Sequence, residues 1–224
     1  MAEILTWRVG SGLIDWVYNL WESSETERMK KLLADPVYRR NWIAEKIERL
    51  LYALENFAEV ESITVDTRSR GEDTFVVDDW QGAASRSELL DFLQKTDDVV
   101  HVNFALMLHC VELGTDGEQK KLEVKSGGTI FFVVELDDNG SLYTNSEDPI
   151  WFSFSLEVDI YAPLSWGRCR DNTELATLNG PRLSAFLHRL EDEIPGEFTG
   201  VDAPDYPNMV GRYGFSAANE FEKS

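Results

Sequence analysis

The sequence predicts an α+β domain, with N-terminal helices and a C-terminal helix packed on an antiparallel β-meander. Three observations carry this reading. An apolar stripe at helical spacing runs between residues 36 and 57, two-residue alternation fills residues 100–110 and 150–160, and turn signals stand close together between the alternating runs. Short turns join antiparallel strands, because parallel neighbours need a crossover of about a dozen residues or more.

In chain order, Leu13, Ile14, Trp16, Val17, Leu20 and Trp21 cluster at helical spacing, and residues 1–58 read as helical throughout. Ser23 and Ser24, before Glu25 and Glu27, mark one helix start. Asp35-Pro36 marks another, a cap followed by proline at the first helical position. From there Ile43, Ile47, Leu50, Leu51 and Leu54 share one face, opposite Glu45, Lys46, Glu48, Arg49 and Glu55, so a helix is expected from Pro36 to about Phe57. Tyr38 and Trp42, four apart, form a packing pair on it.

Residues 59–166 read mainly as antiparallel sheet with one helix. Residues 62–66 and 74–77 suggest two strands, and 85–93 the helix. Val100, Val102, Phe104, Leu106, Leu108 and Cys110 then alternate as a strand does. Gly114-Thr115-Asp116-Gly117 reads as a turn, with Leu122 and Val124 on the return. Ser126-Gly127-Gly128 reads as a further turn into residues 130–136, a run apolar on both faces and therefore central. Asp138-Asn139-Gly140-Ser141 signals a type I′ hairpin turn. Beyond Pro149, Ile150, Phe152, Phe154, Leu156, Val158 and Ile160 alternate with Trp151, Ser153, Ser155, Glu157, Asp159 and Tyr161. Residues 167–194 read as helical with a break at Gly180-Pro181, and residues 195–224, with three of the seven prolines, as an irregular tail. The whole is expected to be a single domain.

Composition narrows the class. Hydrophobic residues make up 43% and charged residues 28%, with seven Trp, twelve Phe and seven Tyr, enough for a real core. Glu3, Arg8 and Asp15 interrupt the apolar start, and no stretch approaches the roughly 20 apolar residues that span a bilayer. Two cysteines, Cys110 and Cys169, read as reduced thiols, and a cytoplasmic location is expected. Basic residues number 21 and acidic 41, for a net charge of −20. Residues 59–224 hold 13 basic and 32 acidic residues, so nearly all of the excess lies there. Such a surface repels nucleic acid and anionic membrane and attracts basic proteins. The same acidity also serves solubility, or follows from a generally acidic proteome.

Catalytic signatures are sparse. There is no G-x-S-x-G elbow, and the only histidines are His101, His109 and His188. The first two share a strand face roughly 26 Å apart, too far to hold one metal. An EF-hand with Gly140 at its sixth position would put Ser146 where the bidentate acid belongs, so no calcium loop is read there. Gly10-Ser11-Gly12 and Gly127-Gly128 lack the rest of a phosphate-loop pattern. No cofactor is expected. Glu157 and Asp159, on one strand face with Ser153, Ser155 and Tyr161, are the best paired carboxylates, readable as a solvated face, a partner surface or an acid–base pair. Trp151 and Tyr161 flank that face as possible anchors. Glu191, Asp192 and Glu193 follow the last helix, with Glu197, Asp202 and Asp205 beyond, and acids at a helix C-terminus oppose its dipole.

The small acidic domain, the missing catalytic signature and the acidic clusters Asp137-Asp138 and Glu191-Asp192-Glu193 together resemble bacterial immunity proteins of polymorphic or contact-dependent toxin systems. The resemblance is of type and carries no motif. It implies a stoichiometric inhibitor that engages a basic toxin domain through Asp137, Asp138, Trp151, Glu157, Asp159, Tyr161, Glu191, Asp192, Glu193, Asp202 and Asp205. A DNA-mimicking or anti-defence inhibitor, and an enzyme with carboxylates assembled in the fold, remain the alternatives.

Overall fold

In the computed structural model, which describes residues 7–21, 26–114, 117–143, 148–165 and 170–216, the chain is α+β. It begins β1 (Val9–Asn19), α1 (Thr26–Ala34), α2 (Pro36–Ala53), β2 (Ala58–Thr67), β3 (Gly71–Val77) and α3 (Ala83–Lys95). It continues β4 (Val99–Leu113), β5 (Gln119–Val134), β6 (Ile150–Val158), a 3-10 turn (Asp159–Tyr161), β7 (Leu164–Ser165) and β8 (Arg170–Asp171). It closes with α4 (Thr173–Glu193), β9 (Glu197–Asp202), β10 (Val210–Gly211) and β11 (Gly214–Phe215). One sheet of seven antiparallel strands has the order β3-β2-β4-β5-β6-β1-β9. No helix among the described residues is long and apolar enough to cross a membrane.

One face of the sheet is the core. Val102, Phe104, Leu106 and Leu108 of β4, Ile130 and Phe132 of β5, and Ile150, Phe152, Phe154, Leu156 and Val158 of β6 are fully buried there. Alternation puts these residues on one side of the pleat, and the helices lie against that side. Phe186 of α4 stacks on Phe57 at 4.1 Å and meets Phe154 edge-on at 4.9 Å, while Phe92 of α3 stacks on Phe75 of β3 at 4.8 Å. Helix α2 begins as expected: Asp35 accepts hydrogen bonds from the Val37 and Tyr38 amides, and Pro36 occupies the first turn. It ends short of Phe57, because Asn56 adopts φ +69° and turns Phe57 back onto α4.

Six expectations are corrected. The apolar cluster from Leu13 to Trp21 includes strand β1, not a helix. Ile14, Trp16 and Tyr18 alternate into the core, where Trp16 and Tyr18 stack on their register partners Phe154 and Phe152. Ser126-Gly127-Gly128 is a bulge inside a continuous β5, not a turn. The register slips between Leu106 and Leu108, Ser126 takes φ +48°, and a Cβ on Gly127 would sit 2.9 Å from Leu108 Cγ and from the Val124 carbonyl. At residues 137–141 only Gly140 has positive φ, so no type I′ turn forms; Asp137 instead accepts from the Asn139 and Ser141 amides.

The alternation of β6 stops at Val158. The 3-10 turn then buries Asp159, Ile160 and Tyr161 together. Helix α4 runs through Gly180-Pro181 unbroken. Pro181 and Thr177, whose carbonyl loses its amide partner, both lie on the exposed side, where water can take that carbonyl. The described part of the tail is not irregular: β9 pairs with β1, and Tyr206 and Met209 are buried. Ser23, Ser24, Glu25, Thr115, Asp116, Ser146, Cys169 and residues 217–224 lie outside the described residues.

Candidate functional site

The second face of the sheet is built from the alternate positions of the same strands, and no described helix packs on it. Register fixes its rows. His101, Val133, Trp151 and Asn19 form one row across β4, β5, β6 and β1, with Asp66 of β2 opposite His101. The next row is Asn103, Phe131, Ser153 and Val17. A third row is Ala105, Thr129, Ser155, Asp15 and Asp202.

Aromatic side chains make a lane at one end of this face. The His101 ring lies 4.9 Å from Phe131, and Phe131 meets Trp151 edge-on at 6.1 Å. Val133 is only 5% exposed, although no described helix covers it, because His101 and Trp151 flank it in register. Polar groups pin the ends of the lane. His101 Nδ1 and Asp66 Oδ2 are 3.2 Å apart, and the Asn19 amide donates to the Asp148 carboxylate beside Trp151. At the other end Asp15 and Asp202 stand directly opposite one another on adjacent strands, which is unfavourable for two like charges, and no cation among the described residues pairs with either.

A groove of about 760 Å³ opens beside the lane, lined among others by Arg68, His101, Val133, Glu135, Asp138 and Tyr143. Arg68 is 3.6 Å from Asp138, whose side chain is fully exposed. Two backbone amides, those of Ser141 and Asn139, hold the Asp137 carboxyl below the ordinary carboxylate range.

The residues expected to bind a partner divide into three groups. Trp151 and Glu157 lie half-buried on the open face, while Asp138, Asp192 and Asp202 are exposed. Asp137, Asp205, Glu191 and Glu193 are committed to the fold. Asp137 closes its turn, Asp205 bridges to Arg8 at 3.0 Å, and Glu193 lies 3.9 Å from Arg49. Glu191 takes Arg212 in a two-pronged pair (2.8 and 2.9 Å) together with the Tyr213 hydroxyl at 2.9 Å, so it fastens the β10–β11 hairpin to α4. The acids expected to oppose the helix dipole to no structural end therefore include one that ties down the C-terminal segment.

Asp159 and Tyr161 are corrections, since neither lies on the open face. Asp159 is 1% exposed and accepts from the Arg8 amide at 2.6 Å. Tyr161 is fully buried with its hydroxyl 3.3 Å from Cys110 Sγ. Burial and the neighbouring thiol raise the Tyr161 phenol well above its ordinary range, and burial pushes the Cys110 thiol up to about 11. Glu157 and Asp159 thus share no surface, which removes the geometric ground for treating them as an acid–base pair.

Sequence reasoning passed over Asp15, Asp66, Phe131 and the lane side of His101. Their signal lies in the outward alternate positions of β1, β2, β4 and β5, once β1 is read as a strand. No group of three or more metal-ligating side chains occurs among the described residues. No protein-family model, curated protein or solved structure matches the chain.

Proposed function

We propose that this chain binds and neutralises a basic protein partner, in the manner of an immunity protein that inhibits a bacterial toxin domain. One observation carries the reading: in a chain of net charge −20, a sheet face that no described helix covers combines the half-buried aromatics Trp151 and Phe131 with the carboxylates Asp15 and Asp202, which no described cation pairs. Half-buried Trp151 and Phe131 offer the apolar contact that dominates interface energetics, and the charge supplies orientation and a fast encounter. The partner is a protein, because phosphate backbones and anionic lipid are repelled by the same field.

The test is capture of partners by the tagged protein from its native lysate at low and high salt, followed by reconstitution of the purified pair. The expected result is a one-to-one complex with a basic protein whose own activity is lost on binding, with association slowed as salt rises. Binding that is indifferent to salt, or a partner with an acidic surface, would refute the electrostatic basis of the proposal.

A further inference from the structure

We infer that the docking surface is the open sheet face itself, with arginine side chains of the basic partner seated on the Trp151–Phe131 lane and against Asp15 and Asp202. This inference rests on the basic-partner reading and adds where the partner sits. Two independent features converge on one face. The first is aromatic: Trp151 and Phe131 form an edge-on pair, bounded by His101 with Asp66 and by Asn19 with Asp148. A guanidinium prefers such a platform, because it stacks on a ring face while the nearby carboxylates Asp66 and Asp148 add to its attraction.

The second feature is electrostatic. Asp15 and Asp202 face one another across β1 and β9 without a described cation, an arrangement that an arriving positive charge relieves. Trp151 and Ser155 lie four residues apart on β6, and Ser155 stands beside Asp15. The two features are therefore about 13 Å apart along the strands, a spacing that fits two basic side chains of one partner segment. The opposite face of the sheet is filled by the helix layer and offers no such surface.

An octa-arginine peptide serves as the probe, titrated at low ionic strength into protein labelled with 5-fluorotryptophan. The Trp151 resonance is assigned by its loss in Trp151→Phe. Peptide binding is expected to shift the Trp151 signal most among the tryptophans. Trp151→Ala should weaken binding about two- to fivefold. The pair Asp15→Asn with Asp202→Asn should weaken it by roughly two- to fivefold per charge, an effect lost at high salt. The pair Glu72→Gln with Glu88→Gln removes the same charge from β3 and α3, and the remaining fluorine signals report that each variant is folded. Equal weakening by the two charge-matched pairs, or an unmoved Trp151 signal, overturns the placement on this face and leaves the basic-partner reading standing. Failure of the wild-type protein to bind the peptide at low salt overturns that reading, and the placement with it.

Discussion

Strand β4 outruns its neighbour β2, and Asn179 of α4 takes over where β2 stops. The β2–β4 register ends at Ala58 and Leu108, and the Phe57 carbonyl accepts the His109 amide. Beyond that point the Val111 amide and carbonyl face no strand on this side. Asn179, fully buried, fills the gap: its Oδ1 accepts from Val111 N at 2.8 Å and its Nδ2 donates to Val111 O at 2.8 Å. Asn179→Ala leaves both backbone groups unpaired. A buried polar group without a partner costs about 1–3 kcal/mol, and the lower half of that range applies because this edge is only part-buried. The two groups together therefore cost about 2–4 kcal/mol. With a urea m value of about 3 kcal/mol/M for a chain of this size, the unfolding midpoint should fall by about 0.7–1.3 M with m unchanged. Asn179→Asp should do at least as much damage at neutral pH, since a carboxylate cannot donate to the Val111 carbonyl and is buried. Asn103→Ala, on the exposed side of β4, is the control and should move the midpoint little. If Asn179→Ala and Asn103→Ala shift the midpoint equally, Asn179 does not substitute for the missing strand.

Two further outcomes follow from burial and charge. In a Cys169→Ser variant, the remaining Cys110 should resist a disulfide reagent such as DTNB at pH 8 until the protein unfolds, because burial holds its thiol at about 11; rapid labelling of the folded protein would contradict its placement. Part of the protein's stability should be lost as pH falls below about 4. Burial opposes ionisation of Asp98, but its hydrogen bonds from the Ser69 side chain and amide outweigh that and hold the carboxyl below its unfolded value of about 3.9, so its contribution is present above that pH and lost as pH falls through the folded pKa. Asp98→Asn should flatten the acid limb of a pH–stability series, and an unchanged limb would remove Asp98 from the account.

Much of the fold was legible in the sequence because the relevant residues obey one rule at a time. Strands β4 and β6 alternate cleanly against water on one side, and α2 carries a cap, a first-turn proline and an apolar stripe. Strand β1 was misread because apolar side chains stand on both of its faces. Val17 belongs to the open face, and together with Ile14, Trp16 and Leu20 it mimics a helical period. Pro181 was misread because a helix breaker is tolerated where the freed carbonyl reaches solvent, a fact of tertiary position that local pattern does not hold. Asp159 and Tyr161 went wrong for a related reason. The two-residue pattern persists into the 3-10 turn, but the backbone that would turn it into alternate faces does not. The candidate site was half legible: Trp151 and Glu157 follow from alternation in β6. The partners of Trp151 come from β4, β5 and β1, and only register brings them together.

The placement of acid around the sheet narrows what its open face can meet. Both edge strands carry carboxylates, Glu72 and Asp73 on β3 and Glu197 and Asp202 on β9, and both pairings contain a register irregularity. Charge and bulges at an edge are the means by which sheets avoid pairing with a second sheet. Backbone addition at either edge is thereby opposed, which leaves side-chain contact through the face as the route to a partner. A second copy of this chain is a poor occupant of that face, because two molecules of net charge −20 would be brought together with Asp15 and Asp202 on each side. A basic protein meets none of these objections: the charge that repels another copy accelerates its approach, and the aromatic lane gives its arginines a platform. On the proposed function, the acidity at this face therefore disfavours self-association and favours a partner of opposite charge.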